Sequence, residues 1–150
     1  MPINDHPAPG TILVCDFNGT FKEPEMVKPR CVIVLSPRIK ARAKLCTVVC
    51  LSSTAPDEAQ QYHCQLDIRP KLPHPWDSDG IWVKGDMIYS IGFHRLKLNL
   101  IRLGKDRSGN RIYRMDTISV EQMKQVKCCV LRGLGMATLT KHLDKTTESA

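Results

Sequence analysis

The sequence predicts a mainly β protein, a small antiparallel barrel followed by one C-terminal helix. Short apolar runs rich in β-branched residues are separated by proline, glycine or serine clusters, which is typical of strands. These runs span residues 11–17, 31–36, 45–51, 62–68 and 81–91. Gly85-Asp86 interrupts the last run and predicts a bulge or a tight turn there. Residues 95–102 and 111–115 are spaced as the two strands of a hairpin.

One helix is predicted near the C-terminus. Ser119 stands three residues ahead of Gln122, which is the pattern of a capping box. Apolar residues then recur with helical spacing up to Gly133 and Gly135. They are Val120, Met123, Val126, Val130 and Leu134. We expect this stripe to pack against the core or in a dimer contact. Several short strands with one terminal helix indicate a strongly bent sheet.

Length and composition indicate a single domain spanning residues 1–150. With 42% hydrophobic and 25% charged residues, the 150-residue chain can bury a sizeable core. Residues 1–9 contain three prolines and no periodicity, so we expect an extended arm there and a frayed tail over 138–150. No apolar run approaches the length of a membrane span, and no secretory signal is recognisable. We therefore expect a cytoplasmic protein that does not bind a membrane.

The seven cysteines are predicted to be buried, reduced thiols. They lie mostly inside apolar runs, and no Cys-x-x-Cys pair marks a zinc or redox site. We therefore expect no structural metal and no cofactor.

The chain is basic, which favours polyanionic partners and nucleic acid first. Its formal charge is +7 and its pI is near 9.2. Seven basic residues fall between Arg95 and Arg114, so the predicted hairpin is the most positive part of the chain. A solvated basic surface explains the same charge, and composition alone leaves both interpretations open.

Polar side chains collect at the ends of two apolar runs between Glu25 and Thr54. Arg30 precedes the run 31–36, and Ser52, Ser53 and Thr54 follow the run 45–51. If the two runs pair as strands, the arginine lies within reach of the hydroxyl groups. An arginine with neighbouring hydroxyl donors is a site for an anion, in particular for a phosphate.

The order of these motifs resembles the PemK/MazF family of toxin endoribonucleases. The resemblance begins with Pro9-Gly10-Thr-Ile-Leu-Val-Cys-Asp16-Phe17 and continues with Glu25, Arg30 and the strand Val32-Ile-Val-Leu-Ser36-Pro37. Val49-Cys50-Leu51-Ser52-Ser53 is similar to the family strand that ends in two hydroxyl residues. The segment from Gly85-Asp86 to Arg95-Leu96 is similar to a later family strand. Together these motifs cover roughly residues 9 to 135.

The resemblance implies an SH3-like (MazF/CcdB-like) barrel and a set of site residues. Ser52 or Ser53 stands where the family has its catalytic threonine, and Cys31 stands where the family has a proline. The implied catalytic residues are Arg30, Ser52, Ser53 and Glu25. The predicted RNA contacts are Lys28, Thr54, Trp76, Asp86, Arg95 and Lys97. Trp76, Trp82 and Phe93 can all stack on bases, and Trp76 is favoured because its proline-rich loop offers little core.

The resemblance also implies a function. We expect a metal-independent, sequence-preferring endoribonuclease that acts on single-stranded RNA, works as a homodimer and is held inactive by a cognate antitoxin. Two alternatives stay open. One is a gyrase-targeting or other protein-binding toxin on the same fold, and the other is a non-catalytic SH3-like module that binds nucleic acid.

Overall fold

Eight strands and one α-helix form in the described part of the chain. The computed structural model describes residues 2–19, 21–98, 100–105, 107–113 and 116–143. The strands are β1 Ile12–Cys15, β2 Arg30–Val34, β3 Leu45–Ser52, β4 His63–Leu66, β5 Ile81–Gly92, β6 Leu96–Leu98, β7 Leu100–Lys105 and β8 Arg111–Tyr113. The helix α1 is Val120–Gly133, and two 3-10 helices span Phe93–Arg95 and Ala137–His142.

The strands confirm the predicted mainly β class with a C-terminal helix. Six of them form an antiparallel sheet in the order β4-β5-β3-β2-β1-β6, and β7 pairs with β8 in a separate hairpin. Within the described residues no ladder joins β4 to β6, so the predicted barrel is an open, bent sheet. Arg114, the last cation of the predicted basic hairpin, lies outside the described residues.

Both faces of the sheet are buried, which explains why its central strands are continuously apolar. One face carries the first core cluster, which includes Ile12, Val14, Cys31, Ile33, Val49, Leu51, Leu66, Ile81, Val83, Val126 and Cys129. The other face carries the second core cluster, which includes Leu13, Cys15, Phe17, Val32, Val34, Cys46, Val48, Cys50 and Ile91. Successive strand residues alternate between the two clusters because their side chains point to opposite faces.

All seven cysteines are free thiols, and most of them are core residues. Cys15 and Cys50 lie in the second core cluster, and burial raises the pKa of each thiol to about 12. Burial also raises the pKa of Cys46, in the same cluster, to about 11. These thiols therefore stay protonated at neutral pH and act as small apolar side chains.

The helix begins at the predicted capping box. Gln122 N donates to Ser119 Oγ at 3.1 Å, and Ser119 N donates to Gln122 Oε1 at 3.3 Å. Val126 and Cys129 are buried in the first core cluster. The ends of the predicted stripe are exposed, 66% for Val120 and 58% for Leu134. Only the middle of the stripe therefore packs on the sheet.

The interruption at Gly85 is the predicted bulge, and the helix packs directly on it. Lys84 pairs with Cys50 and Ile88 pairs with Val49, so the residues between Lys84 and Ile88 are inserted into β5. A Cβ on Gly133 would lie 2.6 Å from Gly85 O, and a Cβ on Gly85 would lie 2.8 Å from Tyr62 O and closer still to the helix backbone. Glycine at both positions allows this close approach.

The arm lies along the sheet, and the tail begins with a short helical turn. Ile3 N donates to Leu96 O at 2.9 Å, which ties the arm to β6. The 3-10 helix Ala137–His142 covers the start of the tail that was predicted to fray from 138, and the fraying itself stays a prediction. Thr140 Oγ1 donates to Ala137 O at 2.7 Å within this turn. Residues 144–150 lie outside the described part.

The described residues contain no helix that is long and apolar enough to span a membrane.

We predict that Gly85→Ala destabilises the fold by about 1–3 kcal/mol, because the added methyl group must push the helix backbone away from the bulge. Urea denaturation measures the loss in the free energy of unfolding. Gly80→Ala is the matched control, because the three atoms nearest to a Cβ there all belong to the side chain of Gln65, which can move aside. Equal stability of the two variants would contradict the close packing of α1 on the bulge.

Candidate functional site

Arg30 and Ser52 end up side by side because β2 pairs with β3. The ladder sets Val32 opposite Cys50, and continuing that register by two residues sets Arg30 opposite Ser52. Both side chains belong to the face of the second core cluster, since Cys31 and Leu51, their strand neighbours, lie in the first cluster. The core of this face therefore stops at an arginine and a hydroxyl group.

A cleft of about 640 Å³ opens beside Arg30. The loop before β2 forms one wall, and residues next to the β5 bulge form the other. The cleft is lined by Glu23, Pro24, Glu25, Met26, Val27, Lys28, Arg30, Lys84 and Met87. Its volume falls within the range of small-molecule sites, and its charged groups are three cations and two carboxylates.

The guanidinium of Arg30 holds an unused donor inside the protein. Arg30 Nε is buried and has no hydrogen-bond partner among the described residues. Leaving such a donor unpaired costs about 1–3 kcal/mol, and more for a charged group. Burial raises the pKa of the nearby Cys50 thiol, and the positive charges of Arg30 and Lys84 offset part of that rise. The arrangement suits a ligand that brings negative charge to Arg30.

The three hydroxyl candidates differ in burial. Ser52 is buried, Ser53 is half-buried and Thr54 is exposed. Ser52 Oγ donates to Thr54 O at 3.1 Å and accepts from Thr54 N at 3.2 Å, which fixes its position at the strand end. None of the three lines the cleft itself. Ser52 is the one on the face of Arg30.

Tyr89 holds the cleft loop in place. Met26 N donates to Tyr89 Oη at 3.1 Å, and Met26 lies between Glu25 and Lys28 in sequence. Burial raises the pKa of Tyr89, and the charges of Glu25 and Asp86 raise it further. The phenol therefore stays neutral at physiological pH, and Asp86 lies within electrostatic range of Tyr89.

The first half of the same loop is fixed by an aromatic cluster and Arg95. The Phe17 ring contacts the rings of Phe21 and Tyr89 with centroids 5.3 and 5.1 Å apart. Arg95 Nη1 donates to Asp16 O at 3.0 Å and to Asn18 O at 2.9 Å. Its guanidinium carbon also lies 4.9 Å from the centre of the Phe21 ring. Arg95, expected to contact RNA, thus has a structural role.

Two other expected RNA contacts lie away from the cleft. Trp76 is partly buried against the first core cluster, on the opposite face of the sheet, so its proline-rich loop does offer it a core. Lys97 is exposed in β6 and pairs with Val14, a residue of the first core cluster. The cleft thus brings together Glu25, Lys28 and Arg30, with Ser52 and Asp86 nearby.

Lys84 and Tyr89 are site residues that the sequence interpretation missed. Lys84 lines the cleft, and Tyr89 anchors its loop. A signal for Lys84 was present, because Trp82 and Lys84 alternate with the apolar residues Ile81 and Val83. That alternation indicates a strand face outside the core, but the sequence does not say which face carries Arg30.

Metal ligands do not cluster in the part of the chain that the structure describes. There, no group of three or more His, Cys, Asp or Glu side chains is placed to hold a metal ion. Three of the five charged side chains that line the cleft are cations, which suits an anionic ligand.

Most of the chain matches a known protein family. Residues 8–133 match the model of the PemK-like, MazF-like toxins of type II toxin–antitoxin systems. This match covers most of the chain, and the chain belongs to that family. A relative from Escherichia coli K12, the uncharacterised protein YifN, is 31% identical over 114 residues, which are 64% of this chain and 75% of YifN.

Solved structures support the fold. MazF from Deinococcus radiodurans has a TM-score of 0.54 at 19% identity, over 88% of this chain and 100% of that one. A mycobacterial endoribonuclease in complex with its cognate antitoxin has a TM-score of 0.53 at 16% identity, over 87% and 97%. Toxin MazF-mt6 of Mycobacterium tuberculosis has a TM-score of 0.52 at 14% identity, over 86% and 98%.

Proposed function

We propose that this toxin is an endoribonuclease that cleaves single-stranded RNA with a sequence preference and without a metal ion. The observation that carries the proposal is the buried, unpaired Nε of Arg30, at the strand end opposite Ser52 and at the wall of a cleft. A phosphodiester in the cleft would bring negative charge beside the Arg30 guanidinium. Membership of the toxin family supports the same activity.

The proposed reaction is attack of the RNA 2′-oxygen on the adjacent phosphorus. The bond from the 2′-oxygen to phosphorus forms as the bond to the 5′-oxygen breaks, which leaves a 2′,3′-cyclic phosphate and a 5′-hydroxyl. The 2′-hydroxyl loses one proton and the leaving 5′-oxygen gains one. Meanwhile negative charge builds on the phosphoryl oxygens, and fixed donors stabilise it.

The cleft residues divide these tasks. Arg30 is foremost an electrostatic clamp on the phosphate, because a guanidinium gives up its proton reluctantly. Lys84 adds a second cation from β5. Glu25 accepts the 2′-hydroxyl proton or orients Arg30. Ser52, at the strand end beside the cleft, turns its one O–H from Thr54 O to a phosphoryl oxygen.

The remaining proposals concern partners. We propose that the toxin works as a homodimer and is neutralised by a cognate antitoxin in the cytoplasm, where its RNA substrate is found. Exposed apolar side chains at the end of α1 and beyond support a protein contact, since such groups often mark interaction surfaces. They are Leu134, Met136 and Leu139, with exposed fractions of 58%, 44% and 39%.

We predict that Arg30→Ala lowers the rate of RNA cleavage about 100- to 1,000-fold and abolishes growth inhibition, because the phosphate loses its fixed donor. Gel-resolved cleavage of a mixed-sequence RNA measures the rate. Circular dichroism and urea denaturation verify that the variant folds.

Arg69→Ala is the matched control for this loss of charge. Arg69 forms an exposed ion pair with Asp67 at 3.0 Å, away from the cleft, so its removal should change neither stability nor cleavage appreciably. If Arg30→Ala cleaved RNA at the wild-type rate, the phosphate clamp would be wrong. If that variant still inhibited growth without cleaving RNA, a protein-binding toxin would be the better account.

We predict that Ser52→Ala lowers kcat much more than it raises KM, because its hydrogen bond matters chiefly as charge develops on the phosphate. Ser52→Thr keeps the hydroxyl and should retain activity. Ser53→Ala is the internal control and should be tolerated. Steady-state cleavage of a short fluorescent RNA gives both constants. If Ser53→Ala were inactive and Ser52→Ala active, the role would belong to Ser53 and the prediction for Ser52 would be wrong.

A further inference from the structure

A row of polar and aromatic side chains continues from Ser52 across the sheet. Ser52 pairs with Trp82 of β5, and Trp82 pairs with Gln65 of β4. Directly paired residues of antiparallel strands project from the same face. The row therefore runs Arg30, Ser52, Trp82 and Gln65 over four neighbouring strands.

Core packing of the neighbouring residues shows to which face of the sheet this row projects. Ile81 and Val83, which flank Trp82, are buried in the first core cluster, and so is Leu66, which follows Gln65. Since strand side chains alternate, Trp82 and Gln65 project from the other face, the face of Arg30. Lys84, two residues after Trp82, lines the cleft on that face.

Trp82 is a large aromatic side chain that the core does not use. It is half-buried and belongs to neither core cluster, whereas Trp76 packs against the first cluster. Large half-exposed aromatic groups beside a cationic cleft are what proteins use to stack on the bases of single-stranded nucleic acid. Gln65 is exposed beside Trp82, and its amide offers both donors and an acceptor.

The spacing of the row fits one nucleotide next to the phosphate. Neighbouring strands lie about 4.8 Å apart, so Trp82 is about 10 Å from Arg30 across two strand spacings. That span matches a phosphate held at Arg30 and Ser52 with the base of an adjoining nucleotide on the indole. Lys84 lies beside this path and can contact the connecting backbone.

We propose that Trp82 and Gln65 form a nucleobase subsite. Trp82 stacks on the base of a nucleotide adjoining the scissile phosphate, and Gln65 hydrogen-bonds to the edge of that base. The proposal rests on the proposed cleavage of single-stranded RNA, and it assigns part of the sequence preference to these two residues.

The two tryptophans of the chain allow a direct spectroscopic test. Trp76→Phe leaves Trp82 as the sole tryptophan, and Trp82→Phe leaves Trp76. A single-stranded RNA carrying 2′-O-methyl groups binds without being cut, because the attacking hydroxyl is blocked. We expect it to quench the fluorescence of the Trp76→Phe protein and to leave that of the Trp82→Phe protein nearly unchanged.

Affinity measurements with the same RNA complete the test. By fluorescence anisotropy, Trp82→Ala should weaken binding about 5- to 150-fold, the range of one lost base stack, and Trp82→Phe should retain most of the affinity. Gln65→Ala should alter which sequences are cut while the dependence of affinity on salt stays the same, because a base contact specifies without adding charge.

The outcomes separate this subsite from the cleavage activity. If wild-type protein cuts RNA and needs Arg30, but Trp82 is not quenched and Trp82→Ala binds normally, the subsite is wrong and the activity stands. If Trp82 is quenched and its loss weakens binding while wild-type protein cuts no RNA, the subsite stands and the activity is wrong. If saturating RNA leaves Trp82 unchanged and nothing is cut, both are overturned.

Discussion

The pairing of β2 with β3 is the contact on which both the core and the candidate site depend. Its ladder fills both faces of the sheet with apolar side chains, so charged groups cannot stand in its middle without large cost. Two positions beyond the last pair of this ladder stand Arg30 and Ser52, where the second core cluster ends. The register that packs the core therefore also sets Arg30 opposite Ser52.

The rest of the cleft depends on how neighbouring segments are held against these two strands. Tyr89 and Arg95 fasten the loop that carries Glu25 and Lys28, through hydrogen bonds to backbone groups far away in sequence. On the other wall, α1 packs against the bulge at Gly85, beside Lys84. A fixed loop and a fixed bulge keep the charges of the cleft in position before a substrate binds, which reduces the cost of organising them.

Local signals in the sequence account for what could be predicted. The strands, the capping box of Ser119 and Gln122 and the bulge at Gly85 each follow from residues close together in the chain. The neighbourhood of Arg30 and Ser52 followed from assuming that two consecutive strands pair. The features that were missed depend on distant contacts. Arg95 binds carbonyl groups 79 and 77 residues away, and the packing of Trp76 requires knowing which loop covers the first core cluster.

The positions of Trp82 and Lys84 could be predicted only in part. Their alternation with Ile81 and Val83 was visible in the sequence, but it assigns them only to some face outside the core. The pairing of β5 with β3 decides that this is the face of Arg30. The closure of the sheet was overestimated for a similar reason, because no local pattern states whether the two edge strands meet.

The proposed role of the Arg30 cation is to promote attack by the RNA's own 2′-hydroxyl. Its most direct test is to incubate the purified toxin with a mixed-sequence RNA in excess EDTA and to identify the ends of the fragments by mass spectrometry. We expect cleavage that leaves 2′,3′-cyclic phosphate and 5′-hydroxyl ends. Fragments with 5′-phosphate and 3′-hydroxyl ends, or cleavage that EDTA abolishes and added magnesium restores, would contradict it.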